Sequence, residues 1–430
     1  MIPVDLELAA RQAAGRPVQV AMVGAGVTGR AVALTLLTPA PGIRLAAIAN
    51  RTLAHAERAY AEGGASARPC VGASAVEDAV ARGEFVVTDD AEAVCAAGNV
   101  DVVIEVTGTL DHAARVTESA IAHGKHVVLV NAELDSAVGP ILRAKADAAG
   151  VVLTNTDGDE PGVAMTLLRY LRGLGLRPVA AGNLKGMVDH YRTPETQRAF
   201  AEQYGQDARK VTSFADATKL SMEATILANA TGFRVGRRGM HGPACAHVNE
   251  IAGLLPAEEM LAGGMVDYAL GAAPHTGAFV VVHEDHPLKR AQLGYYKLGD
   301  GPFYVFYTPY HLPHLQIAST IGRAALGGDA TVAPLGAPVC EVVTIAKRDL
   351  RAGEVLDGVG GFTAYGLIDN APAARAADAL PMGLAEGARL LRDVPKDGLV
   401  RLGDVERPAG RRVDALWAEQ AARWPLGETA

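Results

Sequence analysis

Two lysines and two carboxylates lie where the sequence could support proton transfer. Asp216 and Lys219 are three residues apart at the start of a predicted helix, so their side chains share one face. A lysine beside a carboxylate can polarise a carbonyl group or carry a proton. Lys185 lies in a glycine-flanked turn after a predicted strand, and Glu133 follows another predicted strand. These four residues are the predicted catalytic groups; a surface salt bridge between Asp216 and Lys219 is the alternative interpretation.

Three acidic residues follow a short predicted strand in the segment 155–162. Asp157, Asp159 and Glu160 could hold a divalent cation or accept protons from a polyol. The alternative is a helix N-terminus, because acidic side chains around Pro161 at the first helical position complement the helix dipole. The two interpretations are compatible, and both stay open at this point.

A glycine-rich turn joins the first predicted strand, Val18–Val23, to a predicted helix. Gly24 permits a tight turn, Gly26 lets the backbone approach a pyrophosphate, and Gly29 lets the helix pack closely on the strand. The N–H groups at the start of the helix would then meet the phosphates. This pattern predicts a dinucleotide-binding site. The residues predicted to form it are Gly24, Gly26, Val27, Thr28 and Gly29.

The residues after the second predicted strand indicate which dinucleotide binds. An acidic residue there would favour NAD, whereas this sequence has Asn50 and Arg51. A neutral amide with a guanidinium can accept a 2′-phosphate, so NADP(H) is the predicted cofactor; a solvated Arg51 is the alternative. The turns after two later strands add Thr107, Gly108 and Asn131 to the predicted cofactor contacts.

Strands alternate with helices in the first third of the chain, which predicts a Rossmann-type α/β fold with a doubly wound parallel sheet. We expect a Rossmann NAD(P)-binding domain over residues 1–155 and an α+β domain for substrate binding, catalysis and oligomerisation over 156–335. Short β segments with glycine turns predict a small β module over 336–430. The polar stretch Asp189–Lys210 is expected to be a mobile loop or lid.

The composition limits the classes of partner. The 430 residues are 49% hydrophobic and 20% charged, which is typical of a globular protein of two or three domains. A formal net charge of −8 without a basic stripe, and the lack of a stretch of about 20 apolar residues, argue against nucleic acid and membrane partners. Four separated cysteines without a CxxC pair fit a reducing, cytoplasmic compartment. We expect a small-molecule substrate and, from base rates, a homodimer or homotetramer.

Several blocks of the sequence together resemble the DXR-like (DRL) proteins. These are related in fold to homoserine dehydrogenases and have a C-terminal SAF (β-clip) domain. The resemblance spans nearly the whole chain. The blocks that carry it are Gly24–Gly29, Asn131–Asp135, Asp157–Gly162, Gly182–Gly186, Ser213–Lys219, Ala346–Glu354 and Leu380–Leu384.

The resemblance implies an NADPH-dependent reductoisomerase of isoprenoid biosynthesis that converts 1-deoxy-D-xylulose 5-phosphate to 2-C-methyl-D-erythritol 4-phosphate. It implies a phosphorylated or polyol substrate and a divalent metal, Mg²⁺ or Mn²⁺, with Asp157, Asp159 and Glu160 as its ligands. The proton would come from Lys219 or Lys185.

Two alternatives remain beside the reductoisomerase. One is a homoserine dehydrogenase-like, metal-independent, NADP-dependent dehydrogenase of a hydroxy acid, amino acid or sugar-acid derivative. It would use Lys219 and Asp216 to handle protons, with Glu133 near the substrate. The other is a non-catalytic NADP-sensing protein whose SAF module binds sugar acids.

Overall fold

The computed structural model describes residues 4–38 and 40–425. Its strands, in chain order, are β1 (Val18–Val23), β2 (Ile43–Ala49), β3 (Ala67–Pro69), β4 (Phe85–Thr88), β5 (Val102–Glu105), β6 (His126–Leu129), β7 (Leu153–Asn155), β8 (Arg177–Lys185), β9 (Met265–Leu270), β10 (Ala278–His283), β11 (Phe303–Thr308), β12 (Cys340–Ala346), β13 (Ala364–Asn370), β14 (Arg389–Leu390) and β15 (Val405–Glu406). Its α-helices are α1 (Val4–Ala13), α2 (Val27–Leu37), α3 (Leu53–Glu62), α4 (Ala73–Ala81), α5 (Ala91–Ala96), α6 (Leu110–Ala122), α7 (Ala132–Ala149), α8 (Glu160–Gly173), α9 (Pro194–Gln203), α10 (Ala208–Ala215), α11 (Thr218–Thr231), α12 (Ile251–Leu254), α13 (Ala257–Leu261), α14 (Pro287–Tyr295), α15 (Ile317–Gly327), α16 (Ala371–Ala376) and α17 (Arg412–Arg423).

These elements belong to two compact units. The first unit contains the described residues up to Asp159 together with Leu312–Ala333. The second contains Glu160–His311 and the described residues from Pro334 onward. The chain therefore returns to the first unit for one segment, which carries α15. The predicted three-part division at 155 and 335 stays a prediction.

The first unit is built on a parallel sheet with the strand order β3-β4-β2-β1-β5-β6-β7. The order reverses at β1, which pairs with β2 on one side and β5 on the other. Ligands bind at such a switch point, beyond the carboxyl ends of the strands. The predicted Rossmann fold is confirmed. The short edge strand β3 was not predicted, because two of its three residues are exposed and it carries no apolar run.

The strands of this sheet are almost continuously buried, as expected for a parallel sheet covered by helices on both faces. The returning segment extends the same core, because Ile317 and Ile321 of α15 belong to one apolar cluster with Val4 and Leu8 of α1. A Cβ at Gly322 would lie 2.3 Å from Val4 Cγ1, so the glycine permits this close helix contact.

The second unit contains a four-stranded sheet with the order β11-β10-β8-β9. Strand β8 is an inner strand, antiparallel to β10 and parallel to β9. Helix α8 packs on β8 and β10, and α11 packs on α8. Leu184 of β8 joins an apolar cluster with Val248 and Ile251. Because side chains alternate along a strand, its neighbours Asn183 and Lys185 point to the opposite face.

The C-terminal region of the second unit consists of short β pairs. Strands β12 and β13 form an antiparallel pair, and β14 pairs with β15. Helix α11 packs against both β12 and β13. Val343, Ile345 and Tyr365 form the centre of a small apolar cluster there. The SAF assignment of this region stays a prediction.

The expectation of a loop over Asp189–Lys210 is wrong, because the stretch contains α9 and the beginning of α10. Helix α9 starts with a capping box in which Thr193 accepts a hydrogen bond from the N–H of Thr196, and Thr196 bonds back to the N–H of Thr193. Pro194 occupies the first turn of the helix. These local signals outweigh the polarity of the stretch.

The four cysteines, Cys70, Cys95, Cys245 and Cys340, are free thiols. Among the described residues, no helix combines the length and apolar character required to cross a bilayer.

Candidate active site

The turn between β1 and α2 has a geometry that glycine makes possible. Gly24 has φ of +109°, and a Cβ there would lie 3.0 Å from the backbone that follows β5. A Cβ at Gly29 would lie 2.5 Å from the Gly24 carbonyl oxygen. A Cβ at Gly26, by contrast, would meet no atom of the described residues within 4 Å, apart from those of its own chain neighbours. Exposed Val27 and half-buried Thr28 follow in the first turn of α2. The turn therefore has room for a phosphate over Gly26.

The residues after β2 support this turn. Asn50 Oδ1 accepts a hydrogen bond from the N–H of Ala25 at 3.0 Å, and Asn50 Nδ2 donates to the carbonyl oxygen of Thr52 at 2.8 Å. Asn50 thus holds the glycine turn against the end of β2, a task that the sequence did not reveal. Arg51 is exposed at the same strand end. Its predicted contact with a 2′-phosphate stays a prediction.

A buried glutamate brings two of the predicted cofactor residues together. Glu105 Oε1 accepts from the N–H of Thr107 at 2.9 Å and from its hydroxyl, and Glu105 Oε2 accepts from Asn131 Nδ2 at 2.8 Å. Asn131 Oδ1 in turn caps α7 by accepting from the N–H of Leu134. Gly108 follows Thr107 with φ of +68°. The network fixes the carboxyl ends of β5 and β6 at the ligand-binding edge of the sheet.

Burial raises the pKa of Glu105 to about 7, and its hydrogen bonds to Thr107 and Asn131 only partly oppose this. Sequence reasoning did not select Glu105 as a site residue. The available signal was a single charged residue inside an otherwise apolar strand, Val102–Glu105, which a buried strand tolerates only with hydrogen-bond partners.

The carboxylate of Asp157, a predicted metal ligand, is already engaged within the first unit. Asp157 Oδ1 accepts from the hydroxyl of Thr331, and Oδ2 accepts from the hydroxyl of Ser319 at 2.9 Å. Arg323 Nη1 lies 3.3 Å from the same Oδ2. These contacts tie the end of β7 to the returning segment, which gives Asp157 a structural role.

Two other predicted residues of the first unit lie at helix starts. Glu133 is half-buried in the first turn of α7, where its charge complements the helix dipole. Asp159 is buried immediately before α8. The predicted catalytic role of Glu133 and the predicted metal contact of Asp159 stay predictions.

The second unit surrounds Lys185 with two carboxylates. Lys185 Nζ lies 2.9 Å from Glu160 Oε1 and 3.5 Å from Glu223 Oε2. The glutamate side chains are only 5% and 3% exposed, whereas the lysine side chain is 18% exposed. Strand β8 supplies the lysine, the first residue of α8 supplies Glu160, and the middle of α11 supplies Glu223. The cluster is therefore mostly buried, and its lysine retains contact with solvent.

A hydrogen bond holds one carboxylate of this cluster, and a histidine lies beside the other. Asn183 Nδ2 donates to Glu223 Oε2 at 2.8 Å. His311 Nε2 lies 3.6 Å from Glu160 Oε2, and His311 Nδ1 lies 2.9 Å from the hydroxyl of Thr276. The His311 side chain is 30% exposed, so it lies at the solvent side of the cluster.

The structure thus brings together the predicted catalytic Lys185 and the predicted metal ligand Glu160. Sequence reasoning did not select Asn183 or Glu223. For Asn183 the signal was its spacing of two residues from Lys185 on a predicted strand, which places both side chains on one face. Glu223 lies 38 positions beyond Lys185 in the chain, and no local pattern connects them.

The other predicted pair, Asp216 and Lys219, flanks the start of α11. Asp216 is fully buried, and its Oδ2 accepts from Lys347 Nζ at 2.9 Å. Its Oδ1 accepts from the N–H of Thr218, the first residue of α11. Burial raises the pKa of Asp216, and the charge of Lys347 opposes that shift. Lys219 is half-buried one helical turn before Glu223. The ion pair gives Asp216 a structural role; the catalytic role of Lys219 stays a prediction.

A divalent cation at Glu160 and Glu223 would compete with the ammonium group of Lys185, and the predicted metal contacts of Asp159 and Glu160 stay predictions. A carboxylate oxygen of Glu160 lies within 4.8 Å of one of Glu223, close enough to share an ion. The ammonium group of Lys185, however, binds both carboxylates and supplies the positive charge there. Asp157, with both oxygens engaged by Thr331, Ser319 and Arg323, adds no available ligand.

Comparison with known families matches two successive parts of the chain. Residues 24–154 match the family described as homoserine dehydrogenase, NAD binding domain. Residues 158–317 match the family described as oxidoreductase DRL, catalytic domain. The first match contains the glycine turn and the Glu105 network, and the second contains the cluster around Lys185. None of the curated proteins compared with the chain matches it.

Solved structures with similarity to this chain include dehydrogenases and related oxidoreductases. A probable dehydrogenase from Thermotoga maritima is 15% identical, with 74% of this chain and 90% of that chain covered and a TM-score of 0.40. A homoserine dehydrogenase from Thiobacillus denitrificans is 17% identical, with 82% and 90% covered and a TM-score of 0.37. An NAD-binding oxidoreductase from Klebsiella pneumoniae is 21% identical over 41% of this chain, with a TM-score of 0.30. The chain spans only 44% of the Klebsiella protein.

The parallel sheet with its glycine turn is the part that binds NAD(P), and the region matched to a DRL catalytic domain carries a buried lysine between two glutamates. The chain is therefore an NAD(P)-dependent oxidoreductase whose second matched region is similar to a DRL catalytic domain.

Proposed function

We propose that the protein transfers hydride between NADP(H) and a carbon that alternates between carbonyl and hydroxyl, with Lys185 moving the proton on the oxygen. The observation that carries this proposal is the position of Lys185, a partly exposed ammonium group held between two buried carboxylates. A positioned ammonium can donate a proton to a developing alkoxide, and the resulting amine can accept it in the reverse direction.

The other residues of the cluster keep Lys185 in place. Glu160 and Glu223 bind its ammonium group, and Asn183 prevents Glu223 from rotating away. Both carboxylates lie within 3.5 Å of the Lys185 ammonium group and are almost fully buried, so they are shielded from water. A substrate oxygen would approach from the exposed side of Lys185, where His311 offers a second hydrogen bond.

The glycine turn would hold the dinucleotide, and its nicotinamide supplies or accepts the hydride when bound. Gly24 and Gly29 set the turn, and the space over Gly26 would receive the pyrophosphate. The exposed guanidinium of Arg51, in the place where an acidic residue would select NAD, supports NADP(H) as the preferred cofactor.

The charge of the cluster favours an uncharged reacting group. Lys185 already has two carboxylate partners, so it is a poor binding site for a substrate phosphate or carboxylate. We therefore propose that a hydroxyl or carbonyl of a polyol-like substrate binds at Lys185. Any phosphate of the substrate would bind elsewhere.

The match to a DRL catalytic domain supports 1-deoxy-D-xylulose 5-phosphate as the first substrate to test, with the reductoisomerase reaction as the specific activity. The alternative specific activity is a metal-independent dehydrogenase of a hydroxy acid or sugar acid, which the engaged carboxylates of Asp157 and Glu160 favour.

The test is NADPH oxidation by the purified protein with deoxyxylulose phosphate, and NADP⁺ reduction with a panel of polyols, hydroxy acids and sugar acids. Each reaction is run with Mn²⁺ and with a chelator. Turnover of deoxyxylulose phosphate with Mn²⁺ but not with the chelator would support the reductoisomerase. Turnover of a panel member in chelator would support the dehydrogenase, and turnover of neither would contradict the proposed function.

The role of Lys185 is tested with Lys185→Met, for which we expect kcat to fall by about 10²–10⁴-fold. Lys289→Met is the matched control, because Lys289 also binds a glutamate, Glu284, at 3.0 Å but lies 47% exposed on the surface. Equal activity in the two variants would contradict the role of Lys185.

A further inference from the structure

Lys347 follows directly after β12 in the C-terminal region and is only 4% exposed. Its ammonium group uses all three N–H donors. They bind the carbonyl oxygen of Arg192 at 2.8 Å, Asp216 Oδ2 at 2.9 Å and the carbonyl oxygen of Gly361 at 2.8 Å. A buried lysine satisfied in this way joins the three segments that provide its partners.

The first of these segments continues directly from Lys185. After β8 the chain runs through residues 186–193, and it contacts the end of α10 in two further places. The N–H of Asp189 donates to the carbonyl oxygen of Ala215 at 2.9 Å, and His190 Nδ1 lies 2.9 Å from the carbonyl oxygen of Asp216. The position of Lys185 at the end of β8 is therefore linked to the residues before α11.

The second segment is the start of α11, the helix that carries Glu223. Asp216 accepts the hydrogen bond of the first N–H group of this helix. Ala217, which lies between Asp216 and the helix, has φ of +72°, a conformation that a residue with a side chain rarely adopts. Strand β13 adds a direct contact, because the N–H of Gly366 donates to the hydroxyl of Thr218 at 2.9 Å. The tight backbone at the start of α11 is thus held by residues of the C-terminal region.

The other end of α11 is fixed from the same region. Asn229 Oδ1 accepts hydrogen bonds from the N–H groups of Val339 and Cys340 at 2.8 and 3.1 Å. With both ends of the helix held, the position of Glu223 relative to β8 depends on the chain after residue 334.

We propose that Lys347 is a positioning residue that holds Lys185 and Glu223 in register by joining the segment after β8 to the start of α11. This inference rests on the proposed function of Lys185. The C-terminal region would then be part of the catalytic apparatus of the second unit rather than an independent module.

The test uses the double variant Lys347→Met/Asp216→Asn. Changing both partners avoids leaving one buried charge without the other, which would by itself unfold the protein. The control is Arg375→Met/Glu341→Gln, which removes another largely buried ion pair of this region that joins α16 to β12. Hydrogen exchange is measured for residues 186–193 and 217–223, together with kcat, KM and the affinity for NADPH.

We expect faster exchange in both segments and a fall in kcat of about tenfold or more, with NADPH affinity unchanged. The control should show neither effect. A lysine with a purely local structural role would lower the melting temperature without accelerating exchange near Lys185 or changing kcat, and that result would overturn the proposal. So would faster exchange with kcat unchanged.

Different experimental results would contradict the role of Lys347 and the role of Lys185. If Lys185→Met keeps full activity, the proposed function is wrong whatever the exchange data show. If Lys185→Met is inactive and the double variant is fully active, only the role of Lys347 is wrong. The conservative variant Lys347→Arg should recover part of the lost kcat, because a guanidinium keeps the charge opposite Asp216.

Discussion

The two regions that carry the chemistry are built in different ways. The cofactor region depends on backbone shape, since three glycines within six residues create the turn and the space over it. The region around Lys185 depends on charged side chains from separate elements that meet through folding. A backbone site can be recognised from a short stretch of sequence, whereas a side-chain cluster of this kind requires the whole fold of its unit.

Among the predictions that compare the two regions, the largest concerns the buried glutamate of the cofactor region. The pKa of Glu105 is about 7 in the folded protein, against an ordinary value of 4.5, so the folded state binds more protons than the unfolded state between these values. The contribution of Glu105 to the free energy of unfolding is complete below pH 4.5. About 3 kcal/mol of this contribution is lost as the pH rises to 7.

Glu105→Gln should remove this loss, so its unfolding free energy should depend less on pH than that of the wild type between pH 5 and 7. Hydrogen exchange of β1 and β5 amides at several pH values measures it. Glu62→Gln, at a partly exposed glutamate of the same unit, should keep the pH dependence of the wild type. If the unfolding free energies of Glu105→Gln and the wild type depend on pH in the same way, Glu105 is charged in the folded protein at no cost in stability, and the prediction is wrong.

The second prediction concerns the side-chain cluster. Glu223→Gln keeps an acceptor for Asn183 but removes one of the two carboxylates that bind Lys185. Loss of a hydrogen bond between charged groups costs about 1.5–3 kcal/mol, or about 10- to 150-fold in kcat. Steady-state kinetics should show the change in kcat with NADPH affinity intact. A change in NADPH affinity alone would contradict the separation of the two regions.

The third prediction compares two glycines of the same turn. Gly29→Ala should destabilise the first unit by about 1–2 kcal/mol, because the new Cβ would overlap the Gly24 carbonyl oxygen. Gly26→Ala should leave stability unchanged and weaken NADPH binding, because its Cβ would enter the space over the turn. Thermal melting and cofactor titration of both variants separate the effects; equal melting temperatures would disprove the tight contact at Gly29.

The smallest effect is expected at the exposed Arg51. Arg51→Ala should weaken NADPH binding by about fivefold, since an exposed ion pair contributes up to about 1 kcal/mol. Binding of NADH, which has no 2′-phosphate, should not change. Titrations of the variant and the wild type with NADPH and NADH measure the change in each affinity. An equal loss of affinity for both dinucleotides would assign Arg51 a role other than cofactor selection.

The sequence predicted the first unit well because its signals are local. The apolar strands, the alternation with helices and the glycine turn lie within single stretches, and each predicts the structure found there. Glu105 shows the limit. Its charge within an apolar strand was visible, but its bonds to Thr107 and Asn131 appear only once β5 and β6 are neighbours in the sheet.

The second unit was predicted less completely because its important contacts join distant positions. Asp216 and Lys219 have the spacing of a helix pair, yet the buried partner of Asp216 is Lys347, 131 positions away. Spacing along one helix cannot reveal a competing partner from another element. The prediction of a loop over Asp189–Lys210 is wrong for a different reason, because the local capping signals at Thr193 and Pro194 outweigh the polarity of the stretch.

The location of β8 between β9 and β10 has a consequence for how the protein loses activity. Inner strands open only when the sheet around them unfolds, so their free energy of opening approaches that of the whole unit. Lys185 ends such a strand, where it pairs with Leu270 of β9, and its two glutamates are bound by it from α8 and α11. In increasing denaturant, the proposed proton-transfer group Lys185 should therefore remain beside its glutamates until the second unit unfolds, and activity and structure should be lost in a single transition.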